Sequence, residues 1–261
     1  MKINLQGEKA LVGGGTSGLG KAIAFQLAQC GAEVTLMARS REKLERLIHE
    51  LPNNHGQHHD YLLVDFANYE DYQDRLQSYF DGHSIDILVN NTQGPAAGPA
   101  LEKNVQDYQQ AFDLLFKTYC LTTLLALEGM KRKKSGRIIN VSSMSVKEPL
   151  PNMALSNSLR AAVVNWAKTL ADEVAPFNIT INNILTGSFD TERLKSLHQK
   201  QAQQKEIELD EWRKQAANKI PMKRFGKTEE YGYLATFLAS EYAAYITGTS
   251  IPIDGGALKS I

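Results

Sequence analysis

The sequence predicts an α/β fold built on one doubly wound parallel sheet. Three observations carry this reading. Short apolar runs alternate with amphipathic stretches from one end of the chain to the other, which is the pattern of strands buried on both faces by helices. The first run leads into a glycine-rich turn that opens a helix. A length of 261 residues suits one large α/β domain, here taken to span 1–261. The hydrophobic share of 43% is that of a soluble globular protein. Lys plus Arg and Asp plus Glu number 29 each. This balance argues against a general nucleic-acid binder, which needs a basic excess.

Taken in order, Lys9–Gly13 reads as the first strand and Gly18–Cys30 as a helix with Ile23, Phe25 and Leu27 on its apolar side. Glu33–Ala38 is a second strand and Arg41–Leu51 a charged helix. Tyr61–Asp65 is a third strand, followed by the polar helix Tyr69–Phe80, and Ile85–Asn90 is a fourth. A long helix near Asp107–Lys131 precedes the strand Gly136–Ser142, and a further helix crosses Met153–Ala175. Ile179–Ile184 and Ser250–Ile253 close the series. Right-handed crossovers leave a Rossmann-type doubly wound sheet as the leading topology. The long, charged, glutamine-rich segment Ser188–Lys227 reads as one or two helices inserted after a strand end. Ligands bind at that end of such sheets, so the insertion is expected to be a lid; surface decoration is the plainer alternative.

The turn Gly14-x-x-x-Gly18-x-Gly20, with Thr16, Ser17 and Leu19 between the glycines, follows a strand and opens a helix. Glycines let the backbone approach a pyrophosphate, and the helix N-terminus offers free N–H groups and partial positive charge. At the end of the second strand stand Arg39 and Ser40 rather than an acidic residue. An acid there would bond the ribose of NAD, whereas Arg39 would receive a 2′-phosphate, with Ser40 as a second donor. NADP(H) is therefore expected over NAD(H). An ordinary solvated helix start is the alternative for Arg39. Asp65, followed by Phe66, could accept from an adenine amine or cap the next helix.

These features, with Asn90-Asn91-Thr92-Gln93-Gly94, Arg137–Ser143, Asn183–Gly187 and the closing Thr247-Gly248 and Asp254-Gly255-Gly256, fall in one order along nearly the whole chain. The sequence resembles the short-chain dehydrogenases/reductases. The resemblance implies an oxidoreductase for a carbonyl or alcohol substrate, small or acyl-linked, with cofactor contacts from the glycine loop, Asn90, Asn91, Thr92, Gly94, Thr186 and Gly187. It also implies that Ser143 orients the substrate carbonyl. A Tyr thirteen residues after Ser143 would pass the proton, and a Lys four further on would hold the nicotinamide ribose and lower the Tyr pKa. An Asn on the long helix before would anchor a water in the relay. Here Ser156, Arg160 and Leu115 stand at those three positions, Thr186 replaces the usual Pro before Gly187, and Gly13 replaces the usual Thr before the loop. The departures are similar to those of a divergent subgroup close to β-ketoacyl carrier-protein reductases.

A serine hydroxyl is a far weaker acid than a phenol beside a cation. Arg160 keeps a positive charge for the ribose but does not give up a proton. Lys147 is the foremost replacement proton carrier, since burial lowers a Lys pKa; a surface Lys paired with Glu148 is the plainer alternative. Altered or weak oxidoreductase chemistry is expected, with a catalytically silent NADP(H)-binding sensor or scaffold as the alternative. The resemblance further implies a homotetramer, or failing that a dimer, paired through the two long helices. His55, His58, His59 and Asp60 sit in a loop without an evident distant fourth ligand, so no metal site is expected. The basic run Lys131–Lys134 reads as a solvated helix end. Cys30 and Cys120 read as buried thiols in a reducing cytoplasm, and no apolar run approaches membrane-span length.

Overall fold

A computed structural model describes residues 2–260. Seven strands form one sheet in which every pairing is parallel. They are β1 (Lys9–Gly13), β2 (Glu33–Ala38), β3 (Asp60–Leu63), β4 (Ile87–Asn90), β5 (Gly136–Ser143), β6 (Ile179–Thr186) and β7 (Ser250–Ile253), in the order β3-β2-β1-β4-β5-β6-β7. The chain winds outward from β1 to β3, then returns to β4 beside β1 and winds the other way. That reversal opens a crevice at the C-terminal ends of β1 and β4, where such sheets bind ligands.

The nine α-helices among the described residues are α1 (Gly18–Gln29), α2 (Arg41–Glu50), α3 (Tyr69–Gly82), α4 (Val105–Ala111), α5 (Thr118–Lys133), α6 (Ala154–Val174), α7 (Glu192–Gln204), α8 (Leu209–Asn218) and α9 (Thr228–Ala239). Strand residues alternate between the two faces of the sheet. Ala10 and Val12 join a core with Ile23 and Leu27 of α1, Leu44 and Leu47 of α2, and Tyr231 and Leu238 of α9. Leu11 points the other way, into a second core with Leu76 of α3, Met130 of α5 and Leu170 of α6.

Two features differ from the sequence expectation. The helix expected near Asp107–Lys131 is interrupted by a π segment, Phe112–Lys117, between α4 and α5. Helix α9 falls in a stretch that the strand and lid readings left unassigned. It packs closely on α1: a Cβ at Gly232 would stand 2.8 Å from the Ala22 carbonyl. The insertion after β6 does contain two helices, α7 and α8, and Trp212 Nε1 of α8 donates to Gln201 Oε1 of α7 at 3.2 Å.

Cys30 and Cys120 are half-buried and unpaired rather than fully buried, and burial pushes both thiols up in pKa. The basic run ends α5, where Lys134 adopts the left-handed conformation and Lys133 pairs with Asp86. Among the described residues no helix is long and apolar enough to cross a membrane. None of their His, Cys, Asp or Glu side chains gather in groups of three or more that could hold a metal ion. The His59 ring instead accepts from Val34 N and bonds the Pro52 carbonyl.

Candidate active site

A large cleft, about 820 Å³, lies across the C-terminal ends of β1, β2, β4, β5 and β6 and is roofed by α7. That volume falls in the roughly 300–1,000 Å³ range of small-molecule sites. Its floor is the turn between β1 and α1. Gly14 and Gly18 have φ of +57° and +52°, a region where side chains are strained. A Cβ at Gly20 would lie 2.2 Å from the Gly14 carbonyl oxygen. Gly20 does not itself line the cleft; it acts from beneath, letting α1 start close under the turn. Asn91 Nδ2 donates to the Gly13 carbonyl at 3.0 Å and pins the turn to the end of β4.

Of the residues expected to contact a nucleotide, Gly14, Thr16, Ser17, Gly18, Leu19, Arg39, Ser40, Phe66, Asn91, Thr92, Gly94, Arg160, Thr186 and Gly187 all line this cleft. The backbone of the turn and the free N-terminus of α1 suit a pyrophosphate, and no side-chain cap occupies that terminus. Arg39 is exposed with no carboxylate within salt-bridge distance among the described residues. Ser40 caps α2 by accepting from Lys43 N at 3.4 Å, and Lys43, one turn into that helix, also faces the cleft. The donor set fits a phosphorylated dinucleotide. It is further matched by Ser142, whose buried hydroxyl in the cleft wall has no hydrogen-bond partner among the described residues.

Three expectations are corrected. Asn90 does not reach the cleft. Its Nδ2 donates to Thr123 Oγ1 and Asn140 Oδ1, both at 2.9 Å, so it belongs to a buried amide chain under the sheet end. Asn91, the first residue past β4, turns instead to the Gly13 carbonyl. Asp65 lies outside the cleft and folds back on its own turn, accepting from Ala67 N at 3.0 Å; Asn68, not Asp65, caps α3. Lys147 is exposed and outside the cleft, which leaves it neither the burial nor the position of a proton carrier. The pairing with Glu148 is not formed either. Glu148 Oε1 accepts from the backbone of Lys259 and Ser260 instead, which lowers its pKa.

Ser143 and Ser156 do come together in the cleft wall with Arg160. Ser143 Oγ accepts from Ser145 N at 3.1 Å, and Ser156 Oγ accepts from Arg160 Nε at 3.3 Å. Each hydroxyl is held as an acceptor from behind, so its own hydrogen is free to be donated. Arg160 Nη1 donates to the Val141 carbonyl at 2.7 Å. Leu115 sits in the π segment, 1% exposed, against Ala111, Leu155 and Leu159. It is apolar and fully enclosed at the position where the resemblance implies an Asn.

Three residues near the site went unread in the sequence. Tyr119, one helical turn beyond Leu115, is buried and donates to the same Val141 carbonyl at 3.1 Å. Burial raises the pKa of its phenol and the Arg160 charge opposes that rise, but it does not line the cleft. His198 of α7 is buried and lines the cleft, with Nδ1 lacking a hydrogen-bond partner among the described residues. Burial and then the Arg213 charge lower its pKa, against Asp190, which favours the neutral imidazole. Arg193, also on α7, reaches back over Gly94, where a Cβ would meet its guanidinium at 2.6 Å.

The comparisons with known proteins agree with this geometry. The family model described as short chain dehydrogenase matches residues 8–202. The chain is 33% identical over 256 residues to the NADPH-dependent reductase BacG of Bacillus subtilis, covering 97% of this chain and 98% of the relative. It is 30% identical over 259 residues to the 3-oxoacyl-[acyl-carrier-protein] reductase FabG of Aquifex aeolicus, covering 98% and 99%. The solved structure of L-sorbose reductase from Gluconobacter frateurii with NADPH and L-sorbose superposes with a TM-score of 0.93 at 29% identity, over 100% of both chains. A doubly wound sheet with a glycine-turn cleft defines a dinucleotide-binding class of oxidoreductase fold. Within that class, the chain belongs to the short-chain dehydrogenase family.

Proposed function

We propose that this protein is an NADP(H)-dependent oxidoreductase for a carbonyl or alcohol compound, with proton transfer weakened by its substitutions. The observation that carries the reading is the single cleft holding the glycine turn, Arg39 and the Ser143–Ser156 hydroxyl pair together. The bound nicotinamide would supply the hydride chemistry. The two free hydroxyl donors suit polarisation of a carbonyl oxygen, a form of electrostatic stabilisation that needs no proton to leave the protein. Arg160 fixes Ser156 from behind and adds positive charge beside the site. The relatives named as NADPH-dependent reductase and 3-oxoacyl reductase support the cofactor and a 3-oxoacyl-like substrate. The test is NADPH oxidation across carbonyl and alcohol panels. Slow turnover that Ser143→Ala removes is the expected result.

The silent sensor or scaffold is the second reading, favoured specifically by the enclosed, apolar Leu115 and by the absence of a phenol at 156. Tight nucleotide binding without turnover on any panel would select it. A cytoplasmic location belongs to the same proposal and rests on the two unpaired thiols.

NADP(H) is expected to bind more tightly than NAD(H), because a charge-assisted bond from Arg39 to the 2′-phosphate contributes about 1.5–3 kcal/mol. Arg39→Ala should remove most of that preference, leaving the remainder to Lys43. Calorimetric titration giving equal affinities for the two cofactors in the unaltered protein would refute it.

The protein is also expected to form a homotetramer, with a dimer as second choice. Leu124 of α5 and Phe112 of the π segment are exposed apolar residues on the helices proposed to pair, and closed point-group symmetry is the common outcome. Light scattering at micromolar concentration should report four chains, and a monomer would count against it.

A further inference from the structure

We propose that Arg193 and Arg160 together form an oxyanion site for the substrate, so that the compound turned over carries a carboxylate or phosphate besides its carbonyl or alcohol group. This inference rests on the oxidoreductase reading and names the substrate class for it. The charge distribution of the cleft is the first observation. Its lining includes the cations Arg39, Lys43, Arg160 and Arg193 and no Asp or Glu, although the whole chain is neutral. A cluster of one sign in a concave site concentrates ligands of the other sign.

The second observation is where these cations stand. Arg39 and Lys43 belong to the end of β2, where a 2′-phosphate would be held. Arg160 donates to Val141 in β5 and Arg193 leans in from the lid. In the strand order, β2 and β5 are three spacings apart, about 14 Å. The 2′-phosphate cannot engage both pairs, and the pyrophosphate is assigned to the turn after β1 and the free N-terminus of α1, so the second pair is left for another anion. It lies on the side of Ser143 and Ser156, the hydroxyls that would hold the reacting oxygen.

The third observation is that neither guanidinium is neutralised. Among the described residues no carboxylate lies within salt-bridge distance of Arg160 or Arg193. Among the described residues the Arg193 side chain makes no hydrogen bond, in contrast to Arg213 of α8, which pairs with Asp190 at 2.8 Å. Partial removal from water and then the charge of Arg160 both push the Arg193 pKa down, although the residue as a whole keeps substantial contact with solvent. A bound oxyanion would relieve that repulsion and accept from the planar fork. Because Arg193 is carried by α7, such an anion would also tie the lid to the cleft.

The test is calorimetry on protein saturated with NADP+, which cannot reduce an added carbonyl. Acetoacetate is compared with methyl acetoacetate, and dihydroxyacetone phosphate with dihydroxyacetone. At least one anion should bind roughly tenfold or more tightly than its neutral twin. The pair that responds shows whether a carboxylate or a phosphate is preferred. Arg193→Met should abolish the difference, Arg193→Lys should keep part of it, and the affinity for NADP+ should be essentially unchanged. Equal binding within both pairs, or an anion preference that survives Arg193→Met, overturns the proposal. So does a large loss of NADP+ affinity in Arg193→Met, which would assign this arginine to the nucleotide. Should NADP+ itself fail to bind, the oxidoreductase reading falls, and the same two pairs titrated into nucleotide-free protein still decide the oxyanion site.

Discussion

The triple change Leu115→Asn, Ser156→Tyr and Arg160→Lys is expected to raise NADPH oxidation with a generic β-ketoacyl ester by about a hundredfold or more. Positioned acid–base groups typically contribute about 10²–10⁴-fold, and all three positions are needed to supply one. A tyrosine at 156 would extend from the wall that Ser156 now occupies, but a phenol becomes a useful acid only when its pKa falls toward working pH. In the present site Arg160 divides its donors between the Val141 carbonyl and the side chain at 156, so Ser156→Tyr alone should help little. Lys at 160 restores a compact charge, and Asn at 115 opens the polar path that the Leu155–Leu159 contact now seals. Burying that amide costs about 1–3 kcal/mol unless a water or the π segment satisfies it, so the triple variant should be less heat-stable while more active. Ser143→Ala in the triple background should abolish the gain. A parent protein that turns over robustly and is indifferent to Ser156→Ala would overturn the argument. His198, the imidazole of the cleft, would then be the first residue to change.

The strand pattern was legible because parallel strands buried on both faces are almost uninterrupted apolar runs, as in Leu11-Val12 or Ile138-Ile139. The glycine turn was legible because its chemistry is local. What sequence could not convey is which way a side chain points once two neighbours share a type. Asn90 and Asn91 look alike along the chain, yet one enters an amide chain beneath the sheet and the other locks the turn. The same limit applied to charge. Arg193 lies in a run of charged and glutamine residues with nothing local to separate it from solvated neighbours, and only the return of α7 over Gly94 brings it into the cleft. Lys147 failed in the opposite sense. Four residues past Ser143, it seemed close to the chemistry, but a short helical turn at Met144–Val146 carries it outward. The π segment has no composition of its own; it appears only as a long helix whose register shifts beside α6.

The buried amide chain leads to the second large effect. Asn90, Asn140 and Asn183 occupy paired positions on β4, β5 and β6. Asn140 stands in the middle, fully buried at 0% exposure, accepting from Asn90 and donating to Asn183 Oδ1 at 3.0 Å. Asn183 passes the chain on to the Thr249 carbonyl and Ser250, at the start of β7. Four strands are thus cross-linked through buried side chains. Asn140→Ala leaves Asn183 Oδ1 without that donor and deprives Asn90 of an acceptor, and each buried group left unpaired costs about 1–3 kcal/mol. A loss of about 2–4 kcal/mol is expected, which for a chain of this size lowers Tm by roughly 4–16 °C. Asn140→Asp should be worse at neutral pH, since it buries a carboxylate against the Asn183 oxygen. Asn90→Ala should cost less than Asn140→Ala, because it removes a donor while Asn140 keeps its bond to Asn183. The affinity of folded protein for NADPH should change little in Asn90→Ala, measured by titration well below the melting range. A variant that keeps its Tm and loses nucleotide affinity instead would return Asn90 to the cofactor. If stability falls and affinity holds, the paired asparagines are a device for keeping the strand ends in register, so that the turn after β1, the hydroxyls after β5 and the lid after β6 meet around one cleft.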